Sequence, residues 1–169
     1  MRSDSIQFRP ARVEDQDFLY KVYAGTRSDM DLMCLDDNEK TKLLQIQFAA
    51  KNHSYQVSFP DASFLIIMLS RVPVGHLYVN RPGEEIFIID IALLPEYRGQ
   101  GIGSRLMTGI FNEASSTNLS VLLTVAIDNI AALDWYESLG FEKVEDLQTH
   151  FRMRWQPGSG LPQLDHPTR

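Results

Sequence analysis

The sequence predicts a single α/β (α+β) domain, a mixed and mostly antiparallel central sheet with helices on both faces. Two patterns carry that reading. Two stretches of helical period come first, and from residue 63 onward short β-branched apolar runs alternate first with tight turns and then with further helical stretches. The composition, 44% hydrophobic and 22% charged over 169 residues, is that of an ordinary globular chain with enough apolar surface for one core.

The elements follow in order. Residues 6–9 read as a strand stopped by Pro10. Residues 14–26 place Phe18, Leu19, Val22 and Tyr23 at helical spacing, and a second helix is expected over residues 39–53, capped by Asp36, Asp37 or Asn38. The Met- and Asp-rich segment 28–37 has no period and reads as an irregular loop or a short extra turn. Residues 64–70 and 74–79 form a hairpin about Arg71, Val72 and Pro73. A second turn at Arg81, Pro82 and Gly83 leads into a long strand over residues 85–93, whose nearly continuous apolar centre places it inside the sheet. A glycine-punctuated turn, a helix over 104–115, a buried strand over 120–126 and a short amphipathic helix over 129–139 closed by Gly140 come next. Strands at 141–144 and 149–155 finish the sheet. Residues 1–155 are therefore expected as one domain, and the Pro-, Gly- and polar-rich residues 156–169 as a mobile tail.

Composition narrows the function classes. A net charge of −6 repels a phosphate backbone and is compatible with a cationic amine, so nucleic-acid binding is disfavoured. One cysteine, Cys34, rules out an internal disulfide and a Cys-based zinc site and fits a reducing compartment. The N-terminal residues lack the apolar stretch of a secretory signal, and no apolar run approaches the roughly 20 residues that span a bilayer. The expectation is a cytoplasmic protein without a membrane segment. His53, His76, His150 and His166 show no metal-ligand spacing, so no metal is expected and structural roles are assigned to them. A G-x-S-x-G elbow is missing, and Cys34 in its apolar-acidic stretch reads as an inert thiol.

The informative segment runs from Leu93 to Ser104. A strand ends, the chain turns through Gly99, Gly101 and Gly103, and a helix begins. The first amides of a helix lack intrahelical acceptors, and the helix dipole adds partial positive charge there. Glycines let a ligand approach that backbone, so the turn reads as a cradle for a pyrophosphate, with Arg98 adding a charge and Ser104 a hydroxyl. It is neither a P-loop, since no Lys follows its glycines, nor a G-x-G-x-x-G fingerprint, since Ser104 and Leu106 stand at the last position.

With these residues the sequence resembles the GNAT superfamily of N-acetyltransferases. The cofactor signature Q/R-x-x-G-x-G/A is matched by Arg98, Gly101 and Gly103, and a second signature by Asn129, Ala132, Trp135, Tyr136, Gly140 and Phe141. The resemblance covers about residues 5–155 and is strongest over 85–145; the N-terminal third shares only the order of elements. It implies that backbone amides of Arg98, Gly99, Gln100, Gly101, Ile102, Gly103 and Ser104 bind the pyrophosphate of acetyl-CoA. It further implies a bulge near Ile91 and Leu93, whose backbone pairs with the pantetheine arm while one amide polarises the thioester carbonyl. Asn129 would contact the pantetheine, and Tyr136 would protonate the departing thiolate. Seven residues separate these two, close to two helical turns, so both project from one face.

Acetyl transfer to an amine also calls for a proton acceptor. Glu85 and Asp90 are the carboxylates of the central strand, and their five-residue separation puts them on opposite sides of a regular strand. Asp90, in an apolar run, would be costly to bury without a partner. The expected activity is direct acetyl transfer from acetyl-CoA to a primary amine in a ternary complex. The alternative is a non-catalytic acyl-CoA-binding module. A homodimer is compatible with the resemblance. Tyr23, Phe48, Tyr55 and Phe59 either shape an acceptor pocket or fill the core, and Asp29, Asp31, Asp36 and Asp37 read as a solvated loop.

Overall fold

The computed structural model describes residues 5–158, so all but the first residues of the expected tail lie outside the described residues. Seven strands form one sheet in the order β1-β2-β3-β4-β5-β7-β6. They are β1 (Ile6–Pro10), β2 (Ser63–Leu69), β3 (Val72–Asn80), β4 (Glu85–Leu93), β5 (Ser120–Ala126), β6 (Glu142–Asp146) and β7 (His150–Trp155), with helices α1 (Gln16–Ala24), α2 (Asp37–Ser58), α3 (Ile102–Thr117) and α4 (Ile130–Ser138). The sheet is mixed and mostly antiparallel, with β4 and β5 parallel. The chain divides into two compact units, Met1–Asn80 with Ile89–Leu106, and Arg81–Ile88 with Met107–Arg169.

In the first unit β1 lies antiparallel on β2, and Pro10 belongs to the strand rather than stopping it, because an edge strand tolerates a residue without an N–H. The hairpin turn falls at Ser70 (φ 49°) and Arg71 (φ 72°), two residues earlier than the Pro73 signal suggests. A type I′ two-residue hairpin loop has positive φ at both positions, as Ser70 and Arg71 do, and proline cannot adopt that conformation. Pro73 instead sits in β3 opposite Met68, where a bulge between Ile67 and Met68 interrupts the ladder.

Short 3-10 turns at Val13–Asp15 and Ser28–Leu32 precede and follow α1, the second being the extra turn expected in the loop. Asp36 caps α2 by accepting from Glu39 N–H at 2.8 Å, and Glu39 reaches back to Asp36 N–H at 3.0 Å, a reciprocal capping box. α2 runs five residues beyond its expected end at His53 because Tyr55 continues the face begun by Phe48 and Lys51 and meets Tyr78 edge-on at 6.1 Å. Leu19, Ile66 and Tyr78 centre this core, with Phe18, Phe48, Tyr55, Phe64 and Ile89 packed around them.

In the second unit the parallel ladder joins Glu85↔Ser120 through Ile88↔Leu123, and β7 pairs β5 from Val121↔Trp155 to Ala126↔His150. Met107, Phe111 and Ala114 of α3 are buried, and Phe111 stacks on Trp155 at 4.3 Å. α4 ends as expected at Gly140: the Gly140 N–H donates to the Glu137 carbonyl at 3.0 Å and the Phe141 N–H to the Tyr136 carbonyl at 3.1 Å, the paired bonds of a Schellman motif. No helix among the described residues is long and apolar enough to cross a membrane.

Candidate active site

The turn between β4 and α3 has the backbone that its glycines call for. After a 3-10 turn at Pro95–Tyr97, Gly99 and Gly101 adopt φ of +70° and +73°, in the left-handed region that penalises a side chain. A Cβ built on either would meet nothing within 4 Å, so the space beside this backbone is open. The Arg105 N–H donates to the Gly101 carbonyl at 3.1 Å, which places Gly101 at the very start of the helix. Positive-φ glycines opening onto space ahead of a 16-residue helix make a cradle with room for an anionic group at the positive end of the dipole.

Arg98 braces this turn. Its Nε donates to the Leu93 carbonyl and its Nη2 to the Gly25 carbonyl, each at 2.9 Å, tying the turn to the strand before it and to the end of α1. Gln100 Nε2 closes the loop from inside by donating to the Glu96 carbonyl at 2.7 Å. The approach of β4 to β3 depends on Gly75: a Cβ there would lie 2.2 Å from the Ala92 carbonyl oxygen and 3.0 Å from Leu93 Cα. Beyond it the Leu94 N–H donates to the Val74 carbonyl at 2.9 Å.

Asp90 is not a bare carboxylate. Lys51 Nζ lies 2.9 Å and His76 Nε2 3.2 Å from its Oδ2. Burial pushes the Asp90 carboxyl up, but His76 and Lys51 outweigh it and hold the group well below the usual carboxylate range. His76 is buried, stacks on Tyr78 at 4.4 Å, and has neither ring nitrogen in well-aligned hydrogen bonding. Burial, followed by the negative charge of Asp90, raises the phenols of Tyr55 and Tyr78 above their ordinary value.

The loop ahead of α2 is ordered by Arg27. Its guanidinium takes Asp29 in a two-point contact at 2.8 Å and donates at 2.5 Å to both Tyr23 Oη and Gln47 Oε1. Hydrogen bonding to Asp29 lifts Arg27 above its ordinary value despite partial burial. Of the acids expected to be solvated, Asp29 and Asp36 thus hold structural contacts.

In the second unit Asn129 precedes α4 and caps it, its Oδ1 accepting from Ala132 N–H at 3.2 Å. Tyr136 is 8% exposed, with its ring edge-on to Phe141 at 5.5 Å and 4.9 Å from Trp135. Glu85 opens β4 and stands opposite Ser120 in the parallel ladder.

In the first unit, then, Asp90, Ile91 and Leu93 stand on the strand that feeds the turn at residues 98–104. Lys51 and His76 around Asp90 were missed by sequence reasoning; the signal available was a buried acid in an apolar strand, which needs partners somewhere. Their identity came from α2 and β3, distant in sequence.

A family model for the GNAT acetyltransferases matches residues 21–141. The chain belongs to the acetyltransferase (GNAT) family. It is 35% identical over 88 residues to a thialysine N-epsilon-acetyltransferase of Bos taurus, covering 52% of this chain and 51% of that protein. It is 30% identical over 71 residues to N-alpha-acetyltransferase 50 of Danio rerio, covering 41% of this chain and 42% of that one. The match thus spans about half or less of the length of the curated relatives. The PaiA N-acetyltransferase of Thermoplasma acidophilum, solved in complex with coenzyme A, shares the fold with a TM-score of 0.66 at 17% identity, over 90% of this chain and 99% of that one.

Proposed function

We propose that this protein transfers an acetyl group from acetyl-CoA to a primary amine by direct attack in a ternary complex. The observation that carries the reading is the open backbone at Gly99 and Gly101, both at positive φ immediately ahead of α3, in a chain of the acetyltransferase (GNAT) family. Main-chain N–H groups over residues 98–104 grip the diphosphate of the cosubstrate, with Ser104 contributing its hydroxyl. Arg98 keeps the turn in shape through its two carbonyl contacts and adds positive charge. The backbone of Ile91 and Leu93 pairs with the pantetheine arm, and an amide there polarises the thioester carbonyl. Asn129 holds the arm from the start of α4.

Acetyl-CoA supplies the activated acetyl group. The neutral amine nitrogen bonds to the carbonyl carbon as the C–S bond breaks, the nitrogen loses a proton, and Tyr136 gives one to the leaving thiolate. Glu85 and Asp90 are the candidate bases. A carboxylate held low by Lys51 and His76 is a weak proton acceptor, so Asp90 suits holding a cation better than taking a proton.

A second reading, a non-catalytic acyl-CoA binder, draws on α4: packing explains Tyr136 and helix capping explains Asn129 without chemistry. Two measurements separate the readings. Calorimetry is expected to show acetyl-CoA binding that Gly101→Val weakens at least tenfold, while Gly83→Val, which also forces a β-branched residue to positive φ (+108°) but outside the turn, leaves it unchanged. Thiol release with a panel of amines is expected for the enzyme and not for the binder. Absence of acetyl-CoA affinity would end both.

A further inference from the structure

The ammonium of Lys51 is held as a bound alkylammonium ligand would be. Its Nζ sits 2.9 Å from Asp90 Oδ2 and lies 5.3 Å from the ring centroid of Tyr23 and 5.5 Å from that of Tyr55. One carboxylate and two aromatic faces are the walls of a box for a cationic amine, the charge meeting the acid and the C–H surface meeting the rings. These walls are positioned by groups other than Lys51. Tyr23 is fixed by Arg27, Tyr55 rests edge-on against Tyr78, and Asp90 has the buried His76 on the same oxygen, with His76 in turn stacked on Tyr78. Taking Lys51 away therefore leaves a formed box with its negative charge in place. The lysine itself is the exposed and flexible member: its side chain is 35% accessible against 19% for Asp90, and it reaches the box on a four-carbon stem from the surface of α2.

We propose that Asp90, Tyr23 and Tyr55 form a binding site for an alkylammonium group, that Lys51 fills it in the free protein, and that a cationic amine acceptor enters by displacing Lys51. The last clause rests on the acetyl-transfer reading; the site itself does not. Lys51 is then a tethered competitor, and acceptors carrying a second positive charge beside the reacting amine are the class favoured.

The probe is n-butylammonium, titrated by calorimetry and by NMR shift perturbation into the wild-type protein, Lys51→Ala, and Lys51→Ala combined with Asp90→Asn. Lys51→Ala is expected to bind it saturably and at least about tenfold more tightly than wild type, and the added Asp90→Asn is expected to abolish the gain. A folded Lys51→Ala protein with no gain, or a gain that survives Asp90→Asn, overturns the proposal. If Lys51→Ala does not fold unaided, n-butylammonium chloride should restore folding where the same concentration of sodium chloride does not; no restoration overturns the proposal equally. Absence of acetyl-CoA binding by the wild-type protein in the experiment above would remove the transfer reading and leave this site standing, whereas failure here removes the site and leaves the transfer reading.

Discussion

Tyr136 and Gly75 show how differently single residues bear on this molecule. Tyr136 has a buried ring packed on Phe141, so Tyr136→Phe keeps the packing and removes only the hydroxyl. If that hydroxyl protonates the thiolate, kcat should fall by about 10²–10⁴ while acetyl-CoA affinity stays within about twofold. Calorimetry paired with a thiol-release assay checks this, and unchanged turnover would remove the acid role. Gly75 has no chemistry to offer. The position its Cβ would take is 2.2 Å from a backbone oxygen, which cannot swing away as a side chain could. Gly75→Ala should therefore destabilise the protein by on the order of 2 kcal/mol or more, read from urea unfolding, by forcing β3 and β4 apart.

At the level of elements, α2 is the instructive case. None of its 22 residues is fully buried, so its face contributes less than a core helix would and its ends matter more. Asp36 and Glu39 satisfy each other's backbone donors at its start. Asp36→Ala should cost about 1 kcal/mol in thermal or denaturant unfolding, and Asp36→Ser should recover most of it. Fraying is expected to stay in the first turn of α2, seen as faster amide exchange there in the Ala variant, while the Lys51 contact with Asp90, about four turns further on, is unchanged.

For the whole molecule, acid is the natural stress. Asp15 accepts two bonds from the Arg9 guanidinium and one from the Arg12 N–H, all at 2.7 Å. The Arg9 bonds, against the opposing effect of burial, lower its carboxyl from 3.8 to about 2. A carboxyl lowered on folding adds stability that is complete above its unfolded value and drains away as the pH falls through the folded one. Because the Arg9 side chain is 32% exposed, solvent screening keeps this contribution to at most about 2 kcal/mol. Asp90 is lowered too and adds a loss in the same direction. Stability by circular dichroism should thus drop steeply below about pH 4, and Arg9→Ala should both lower stability at pH 7 and flatten that acid slope.

What the chain declares by itself is local. The limits of β4 and β5, a cap for α2 among Asp36, Asp37 and Asn38, the Gly140 terminus of α4 and the glycine turn after β4 were legible, because period, capping and positive-φ demands act over a few neighbouring residues; that Asp36 is the cap came from the structure. The turn at Ser70 and Arg71 was misplaced because Pro73 is a strong local signal that a cross-strand bulge absorbs. Only the tertiary structure decided what surrounds Asp90, that Arg98 clasps Gly25, and that residue 75 must be glycine. Each of these joins segments far apart in sequence. Charge pairing and steric exclusion depend on distances that the fold sets, and no pattern along the chain encodes those distances.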